Sequence, residues 1–413
     1  MKKFLVIVFT CLYGLYAFPR LALAEDFSVS AKHAFAVDVA SGKILYEKDA
    51  QTPASIGSVT SLLTVYLVFE AIEEGQLSMD SLISIGDYPY SLTGTVVNNI
   101  NLDARSYTVE DLLKATLISS ANSSTIALAE AVAGNEPAFV DKMKAKLAEW
   151  GITDAKLVNS SGLNNSYLGD NLYPNSSKED ENQLSAMDVA VIARRLILDY
   201  PQVLKMTSQY SYNFQGYTYT STNQMLAEGT YKYPGVDGLK TGAGEKSGTS
   251  FVATIQQNNM RILTVVLDAN DSLEYPDNRF SATNELIKYI YNTFTLISLV
   301  EKDESYQSSN IEVFNGQTKE VKSVAAKDLN AIVRKGDQPA ISAKYSAKKD
   351  TLNAPVQKGQ VLGTLTLVDK DLIGKGYLET QPSVDMVTAK DISAAPWPVS
   401  WWNHFVRYVN EKL

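Results

Sequence analysis

The chain has 413 residues, 45% of them apolar, which is enough for two domains and a sizeable core and argues against disorder. Its formal net charge is −9, and this acidic balance argues against a nucleic-acid binder. One cysteine (Cys11) and two histidines at opposite ends (His33 and His404) predict no disulfide, no metal site and no cofactor. If the protein is a nucleophilic enzyme, its base is therefore expected to be a lysine or a carboxylate.

The N-terminus has the pattern of a secretory signal peptide. Two lysines precede an apolar run over 4–18, and Ala-Leu-Ala at 22–24 is a small-residue cleavage site. The run is shorter than the roughly 20 residues that a membrane span needs, and Pro19 and Arg20 interrupt it, so we predict cleavage after residue 24. The signal carries the only cysteine and three basic residues. The mature chain would keep 34 of the 37 basic residues against 46 acidic ones, a net charge of −12.

The first mature segment predicts a hairpin and then a buried helix. β-rich runs at 34–39 and 44–46 are joined by Ser-Gly at 41–42, which is typical of a hairpin turn. Residues 59–72 are almost all apolar, and a helix that is apolar on every side is buried on every side. Ser58 then lies at the helix N-terminus, where free N–H groups favour developing negative charge. Considered alone, Ser58 is more simply interpreted as an N-cap.

Helices are predicted through the middle of the chain. A capping-box pattern at 108–111 begins one helix, Pro137 begins another, and 185–198 is amphipathic. The sequence Ser-Ser-Ala-Asn at 119–122 falls between two helical runs.

Strands return after the helices. Asp-Gly-Leu-Lys-Thr-Gly at 237–242 leads into strands at 250–256 and 260–267, and a helix follows at 279–294. Strands at both ends with helices between them predict an α+β domain, an antiparallel sheet with a helical insertion, over 25–298.

The last quarter of the chain changes character. Residues 299–394 alternate β-branched residues with turn residues and predict a small all-β domain. The tail, 395–413, holds three of the four tryptophans. Its aromatic stripe predicts either a helix docked on the β domain or an amphipathic helix in the outer face of a membrane. A stripe this aromatic at a terminus favours the membrane; it comprises Trp401, Trp402, Phe405, Tyr408, Val409 and Leu413.

Three polar elements thus fall, in order, on one predicted domain: Ser58 before a buried helix, Ser120-Ala-Asn122, and Lys240-Thr-Gly242. They resemble the Ser-x-x-Lys, Ser-x-Asn and Lys-Thr-Gly motifs of the penicillin-recognising serine enzymes. Over nearly its whole mature length the chain resembles low-molecular-weight penicillin-binding proteins of the streptococcal type, which are serine-type D-alanyl-D-alanine carboxypeptidases.

The resemblance implies a penicillin-binding, serine β-lactamase-like fold, with peptidoglycan stem peptides and β-lactams as partners. It implies a location on the extracellular face of a Gram-positive cytoplasmic membrane, reached through export and held by the C-terminal helix.

The resemblance also implies a role for each motif residue. Ser58 is the nucleophile, Ser120 relays protons, and Lys240 stands near Ser120 in the cleft wall. The substrate-binding residues are Asn122, which holds the substrate amide, and Thr241, Gly242 and Ala243; the N–H groups of Ser58 and Ala243 would form the oxyanion hole.

Position 61 departs from the family. Ser61 stands where the family has the lysine of Ser-x-x-Lys, one helical turn from Ser58, and a hydroxyl is no base at neutral pH. A positioned base contributes about 10² to 10⁴ in rate. Three explanations stay open: a degenerate member that binds but hardly turns over, Lys240 acting through Ser120 as a substitute base, or a substitution in the recorded sequence.

Three functions follow, in descending order of support. The first is a carboxypeptidase that trims the terminal D-alanine of stem peptides. The second is a penicillin- or wall-peptide-binding pseudoenzyme. A β-lactamase comes third, because a β domain and an aromatic tail suit a polymer at a membrane better than a diffusible antibiotic. Hydrolysis and transpeptidation are not distinguished by the sequence.

Overall fold

The computed structural model describes residues 27–94, 99–244, 246–269, 277–307, 310–336, 341–348 and 351–412. The predicted signal peptide, 1–24, and Leu413 lie outside the described residues. The described chain forms an α+β region, then a β-rich region, then a C-terminal helix, which confirms the predicted fold class.

Helices dominate the first half. Their bounds are α1 Ser61–Glu73, α2 Asp87–Ser91, α3 Val109–Ile118, α4 Asn122–Ala133, α5 Glu136–Glu149, α6 Ala186–Asp199, α7 Val203–Thr207, α8 Asn278–Thr293 and α9 Trp397–Lys412. Short 3₁₀ turns lie at Gly57–Thr60, Leu92–Gly94 and Asn165–Tyr167.

Local signals fix several helix ends. The Thr108 side chain accepts the Asp111 N–H at 3.1 Å, so the predicted cap at 108–111 is confirmed. Ser185 and Asp188 form a reciprocal capping box at the start of α6. Gly134, at a φ of +83°, ends α4 because a left-handed residue stops the ladder of helical hydrogen bonds.

The strands of the α+β region are β1 His33–Asp38, β2 Ile44–Lys48, β3 Ala54–Ser55, β4 Leu82–Ser84, β5 Ser106–Thr108, β6 Gln183–Leu184, β7 Ser211–Phe214, β8 Tyr217–Thr220, β9 Val236–Gly244, β10 Gly248–Gln257 and β11 Met260–Leu267. Five of them form the central sheet in the order β2-β1-β11-β10-β9, with every neighbouring pair antiparallel. The predicted hairpin β1–β2 and the pair β10–β11 are confirmed.

The central sheet is buried on both faces. Alternation along β1 directs Phe35 and Val37 into one core, which they share with α1, α3, α4, α5 and α6. Ala34 and Ala36 face the other core, where α8 packs. The helix α1 therefore runs through the middle of the larger core, as its all-apolar sequence predicts.

The β-rich region contains β12 Phe294–Val300, β13 Asn310–Phe314, β14 Glu320–Ala325, β15 Leu329–Arg334, β16 Ile341–Ala347, β17 Thr351–Asn353, β18 Val361–Asp369 and β19 Ser383–Thr388. Six of these strands form one sheet in the order β16-β18-β19-β14-β13-β17, and β12 pairs with β15. Two-residue alternation along β18 buries Leu365 and Leu367 on one side.

A buried ion pair joins the two regions. Lys43, in the turn before β2, places Nζ 2.7 Å from Asp369 Oδ2 and donates to the Ile332 carbonyl at 2.8 Å. Tyr377 donates its hydroxyl to the same Asp369 oxygen at 2.7 Å. The Lys43 and Asp369 side chains are 1% and 0% exposed, so water does not screen their attraction.

The C-terminal helix α9 presents its aromatic residues to solvent. Trp397, Trp401 and Trp402 are 80%, 62% and 57% exposed. The polar side meets the β-rich region: Asn315 donates to the Ser400 hydroxyl at 2.8 Å, and the Arg407 guanidinium lies 4.6 Å from the Phe314 ring centroid. Among the described helices, none has the length and apolar character that crossing a membrane requires.

Candidate active site

Ser58 lies in the 3₁₀ turn Gly57–Thr60, directly before α1. The α-helix begins at Ser61, slightly later than the sequence predicted. Neither the turn nor the helix has a side-chain N-cap, so the N-cap interpretation of Ser58 is wrong. Ser58 is buried at 9% exposure, and its hydroxyl has no hydrogen-bond partner among the described residues.

Ser61 lies one turn below Ser58, as helical spacing predicted. Its hydroxyl donates to the Ser58 carbonyl oxygen at 2.8 Å. The side chain is only 2% exposed, so this backbone bond satisfies its hydrogen inside the core. Position 61 therefore contributes no charge and no base to the nucleophile.

The predicted Ser-Ala-Asn turn lies between α3 and α4. Ser120 adopts a φ of +59°, a conformation that non-glycine residues adopt only when the surroundings hold them there. Asn122 is the first residue of α4 and is 2% exposed. The turn therefore holds Ser120 on a fixed backbone.

Lys240 lies on β9 and reaches this turn. Its Nζ donates to Ser120 Oγ at 2.5 Å and to the Thr241 carbonyl at 2.9 Å. The side chain is 1% exposed; burial lowers its pKa to about 7, and the positive charge of Arg279 contributes in the same direction. The predicted neighbours Lys240 and Ser120 are thus in direct contact.

The three motif residues 240–242 lie in the middle of a strand, β9, which already begins at Val236. The strand packs directly on the turn that carries Ser58. A Cβ at Gly242 would lie 2.7 Å from the Ile56 carbonyl oxygen and 3.0 Å from Val59 Cγ2. Only a glycine allows this approach, which brings Ser58 and the Lys240 wall together.

Two residues of the cleft wall were missed by sequence reasoning. Thr222 accepts a hydrogen bond from Thr241 Oγ1 at 2.7 Å, and Arg279 donates to the Gly242 carbonyl at 3.0 Å. Arg279 Nε is buried with no hydrogen-bond partner in the described chain, and burial lowers the pKa of the guanidinium. Ala243, next along β9, is exposed.

A buried asparagine, Asn182, stabilises the turn that carries Ser58. Asn182 donates to Thr60 Oγ1 at 3.1 Å and to the Asn159 carbonyl at 2.8 Å, and accepts the Val158 N–H at 2.7 Å. These bonds tie the turn before α1 to the loop that starts at Asn159.

Glu181 lies in a short segment, Glu-Asn-Gln-Leu at 181–184, that weakly resembles the deacylating-glutamate motif of β-lactamases, but its contacts are structural. Its two oxygens accept hydrogen bonds from Ser55 and Asn164, both at 2.8 Å. It is 7% exposed. A carboxylate with both oxygens occupied in this way is poorly placed to activate a water.

Replacing Gly162 by alanine is expected to destabilise the fold and to disorder the turn that carries Ser58. Gly162 has a φ of +84°, and a Cβ there would lie 1.9 Å from the Gly57 carbonyl oxygen. The matched control is Gly134→Ala, at a φ of +83° with nothing within 4 Å. In urea unfolding, the control should lose about 1–2 kcal/mol in free energy of unfolding, and Gly162→Ala should lose clearly more. Equal losses would mean that the close contact with Gly57 does not constrain the turn.

Comparison with known proteins agrees with this geometry. The family described as D-alanyl-D-alanine carboxypeptidase matches residues 21–271, and the family described as penicillin-binding protein 5, C-terminal domain, matches residues 294–394. Because the first match covers more than half of the chain, the chain belongs to the D-alanyl-D-alanine carboxypeptidase family of serine-type hydrolases.

Individual relatives cover between 64% and 89% of this chain. A crystal structure described as a peptidoglycan synthesis regulatory factor, PBP3, from Streptococcus pneumoniae is 51% identical, with a TM-score of 0.85 over 89% of this chain and 100% of that chain. D-alanyl-D-alanine carboxypeptidase DacF of Bacillus subtilis is 28% identical over 83% of this chain and 82% of its own length. Penicillin-binding protein D2 of Listeria monocytogenes, in its ampicillin-bound form, is 26% identical with a TM-score of 0.54, over 64% of this chain and 99% of that chain.

Proposed function

We propose that the protein removes the terminal D-alanine from peptidoglycan stem peptides through an acyl-enzyme on Ser58. The observation that carries the proposal is the 2.5 Å contact between Lys240 and Ser120, on a strand packed against the Ser58 turn. That contact joins the Ser120 turn to the strand that packs on the Ser58 turn, at the start of a buried helix.

The reaction has two halves. Ser58 Oγ attacks the carbonyl between the two D-alanines, and the N–H groups of Ser58 and Ala243 receive the negative charge on its oxygen. When the C–N bond breaks, the proton that Ser58 lost reaches the departing D-alanine nitrogen through Ser120, and the acyl group stays on Ser58. Water then attacks the ester, which frees the shortened peptide and restores the Ser58 hydroxyl.

The free carboxylate of the terminal D-alanine has matching groups on the same wall. Thr241 and Thr222 present two hydroxyls 2.7 Å apart, and the guanidinium of Arg279 donates to the carbonyl of the next residue, Gly242. A hydroxyl pair with a buried cation nearby favours a carboxylate over a neutral terminus. The same groups would receive the carboxylate of a β-lactam.

Ser61 supports a second candidate, a wall-peptide- or penicillin-binding protein that turns over slowly. Because the Ser61 hydroxyl is directed to the Ser58 carbonyl, the helix offers Ser58 no proton acceptor. Loss of a positioned base lowers a rate by about 10² to 10⁴, whereas the oxyanion hole and the binding groups are kept.

Release of D-alanine from a stem pentapeptide separates the two candidates. A carboxypeptidase releases D-alanine in proportion to time, and Ser58→Ala releases none. A slow binder retains the peptide or forms a long-lived acyl-enzyme without multiple turnovers. Release that persists in Ser58→Ala would exclude Ser58 as the nucleophile.

We further propose that the mature protein acts on the outer face of the cytoplasmic membrane, held by α9. The support is the orientation of the helix: Asn315 and Phe314 hold its polar side, and its tryptophans stay exposed. Exposed tryptophans on an amphipathic helix suit the headgroup layer of a bilayer.

Removing two of those tryptophans should weaken binding to lipid. Burying one large side chain contributes about 1.5–3 kcal/mol, so Trp401→Ala with Trp402→Ala should reduce partitioning into anionic vesicles at least tenfold. Tyr217→Ala is the control, because Tyr217 is a 51% exposed aromatic residue on β8. Vesicle co-sedimentation measures both. Unchanged binding by the double variant would contradict a membrane role for α9.

A further inference from the structure

The helix that begins beside Ser58 offers no base within reach. Ser61 is a hydroxyl bound to the backbone, and the first acidic residue of α1 is Glu70. At 1.5 Å per residue, Glu70 lies about 13 Å from Ser61 along the helix axis. Within the described chain, no carboxylate or imidazole contacts Ser58, Ser61, Ser120 or Lys240. The proton of Ser58 must therefore go elsewhere when the ester forms.

Lys240 has the chemistry of a base at neutral pH. Its burial and the nearby Arg279 charge lower its pKa to about 7, which makes the neutral amine accessible near neutral pH. Arg279 acts on it from α8, and Asp277 in turn faces Arg279. The other groups that contact Lys240 are neutral: the Ser120 hydroxyl and the Thr241 carbonyl.

Ser120 is held where it can transfer a proton. Its constrained backbone, at a φ of +59°, directs Oγ to Lys240 Nζ at 2.5 Å. The strand that carries Lys240 touches the residues on both sides of Ser58, Ile56 and Val59. Ser120 is therefore bonded to a lysine whose strand packs on the turn that carries Ser58.

We propose that Ser120 and Lys240 together take the role of the missing lysine in this chain and deprotonate Ser58. The proposal rests on the proposed function of the site. As Ser58 Oγ bonds to the carbonyl carbon, its proton passes to Ser120 Oγ, and the Ser120 proton passes to neutral Lys240, which becomes an ammonium ion. When the C–N bond breaks, the ammonium returns a proton through Ser120 to the leaving nitrogen. Proton number and charge balance over the two steps.

The test is the rate at which benzylpenicillin acylates four full-length proteins, followed by intact mass: the natural chain, Lys240→Arg, Ser61→Lys, and the double variant. Arginine keeps the positive charge and the donor to Ser120 but cannot accept a proton. Lys240→Arg should slow acylation of the natural chain by about 10², the contribution of a positioned base. In the Ser61→Lys background the same change should cost less than about tenfold, because the introduced lysine then serves as the base.

The pH dependence gives a second readout that a purely structural role would not move. A base must be neutral to act, so acylation of the natural chain should rise with pH through an inflection near 7. In Ser61→Lys the introduced lysine is the base, so the inflection of the acylation rate should no longer fall at the pKa of Lys240. Glycine adopts a positive φ without strain, so Ser120→Gly keeps the backbone of the turn. Like Lys240→Arg, it should slow acylation strongly in the natural chain and only weakly in Ser61→Lys. Thermal unfolding of each variant checks folding.

The outcomes are distinct. If Lys240→Arg lowers the acylation rate equally in the natural chain and in Ser61→Lys, the proposal is overturned and Lys240 is left with a binding role. Labelling of Ser61→Lys alone would also overturn it, because the natural chain would then have no working base. Absence of labelling in all four proteins would instead contradict the proposed function of the cleft itself.

Discussion

Replacing Ser61 by lysine is expected to raise the rate of acylation by benzylpenicillin by about 10²-fold. The new amine would lie one turn below Ser58, where the Ser61 hydroxyl now donates a hydrogen bond to the Ser58 carbonyl. A buried amine at that point would have a lowered pKa and could take the Ser58 proton directly. The gain is expected at the lower end for a positioned base, because Ser120 and Lys240 already provide a slower route.

The control for size is Ser61→Met. Methionine has nearly the length of lysine but carries no proton acceptor, so it should give no gain over the natural chain. Stopped time courses of intact mass measure both variants. A similar gain in Ser61→Met would mean that packing around α1, and not a base, limits acylation.

Removing Asp369 is expected to give the largest loss of stability, because it leaves Lys43 charged and unpaired in the contact between the two regions. Breaking a buried ion pair by deleting one partner costs about 3–5 kcal/mol. Both side chains are 1% exposed or less, and Tyr377 loses its hydrogen-bond acceptor as well. Urea unfolding of Asp369→Ala should show this loss, with the enzyme site itself unchanged.

An exposed ion pair gives the matched control. Arg407 and Glu411 are 2.7 Å apart on α9, with side chains 45% and 57% exposed. Glu411→Ala should cost no more than about 0.5 kcal/mol. A double change of Lys43 to Met with Asp369 to Leu should recover much of the Asp369→Ala loss. If Asp369→Ala also costs less than about 1 kcal/mol, the buried pair does not hold the regions together.

Local elements of the fold could be predicted from the sequence because neighbouring residues determine them. The all-apolar run at 59–72 gave a buried helix, and Ser-Gly at 41–42 gave the β1–β2 hairpin. Thr108 and Ser185 marked helix starts through their own backbone bonds. Ser58, Ser120 and Lys240 could be singled out because the order of their motifs resembles one family.

The remaining site residues depend on contacts between distant segments. In the sequence, Arg279 is only the first residue of a predicted amphipathic helix. The packing of α8 on the sheet brings it to Gly242. Thr222 follows a short hairpin and carries no motif, yet it meets Thr241. Lys43 and Asp369 come from opposite ends of the mature chain, and no periodicity links them. The N-cap interpretation of Ser58 failed because a 3₁₀ turn precedes the helix.

The signal peptide, the domain boundary at 298/299 and the location at the membrane stay predictions. The strand β12, Phe294–Val300, spans the predicted boundary and pairs with β15, so the chain passes from one region to the other within a strand.

The most direct test of the account is peptide mapping of the natural protein after long incubation with benzylpenicillin. We expect one penicilloyl group, formed slowly and located on Ser58 in the peptide that contains residues 57–61, and no adduct in Ser58→Ala. An adduct on another residue, or none on either the natural chain or Ser61→Lys, would contradict the assignment of this cleft as the active site.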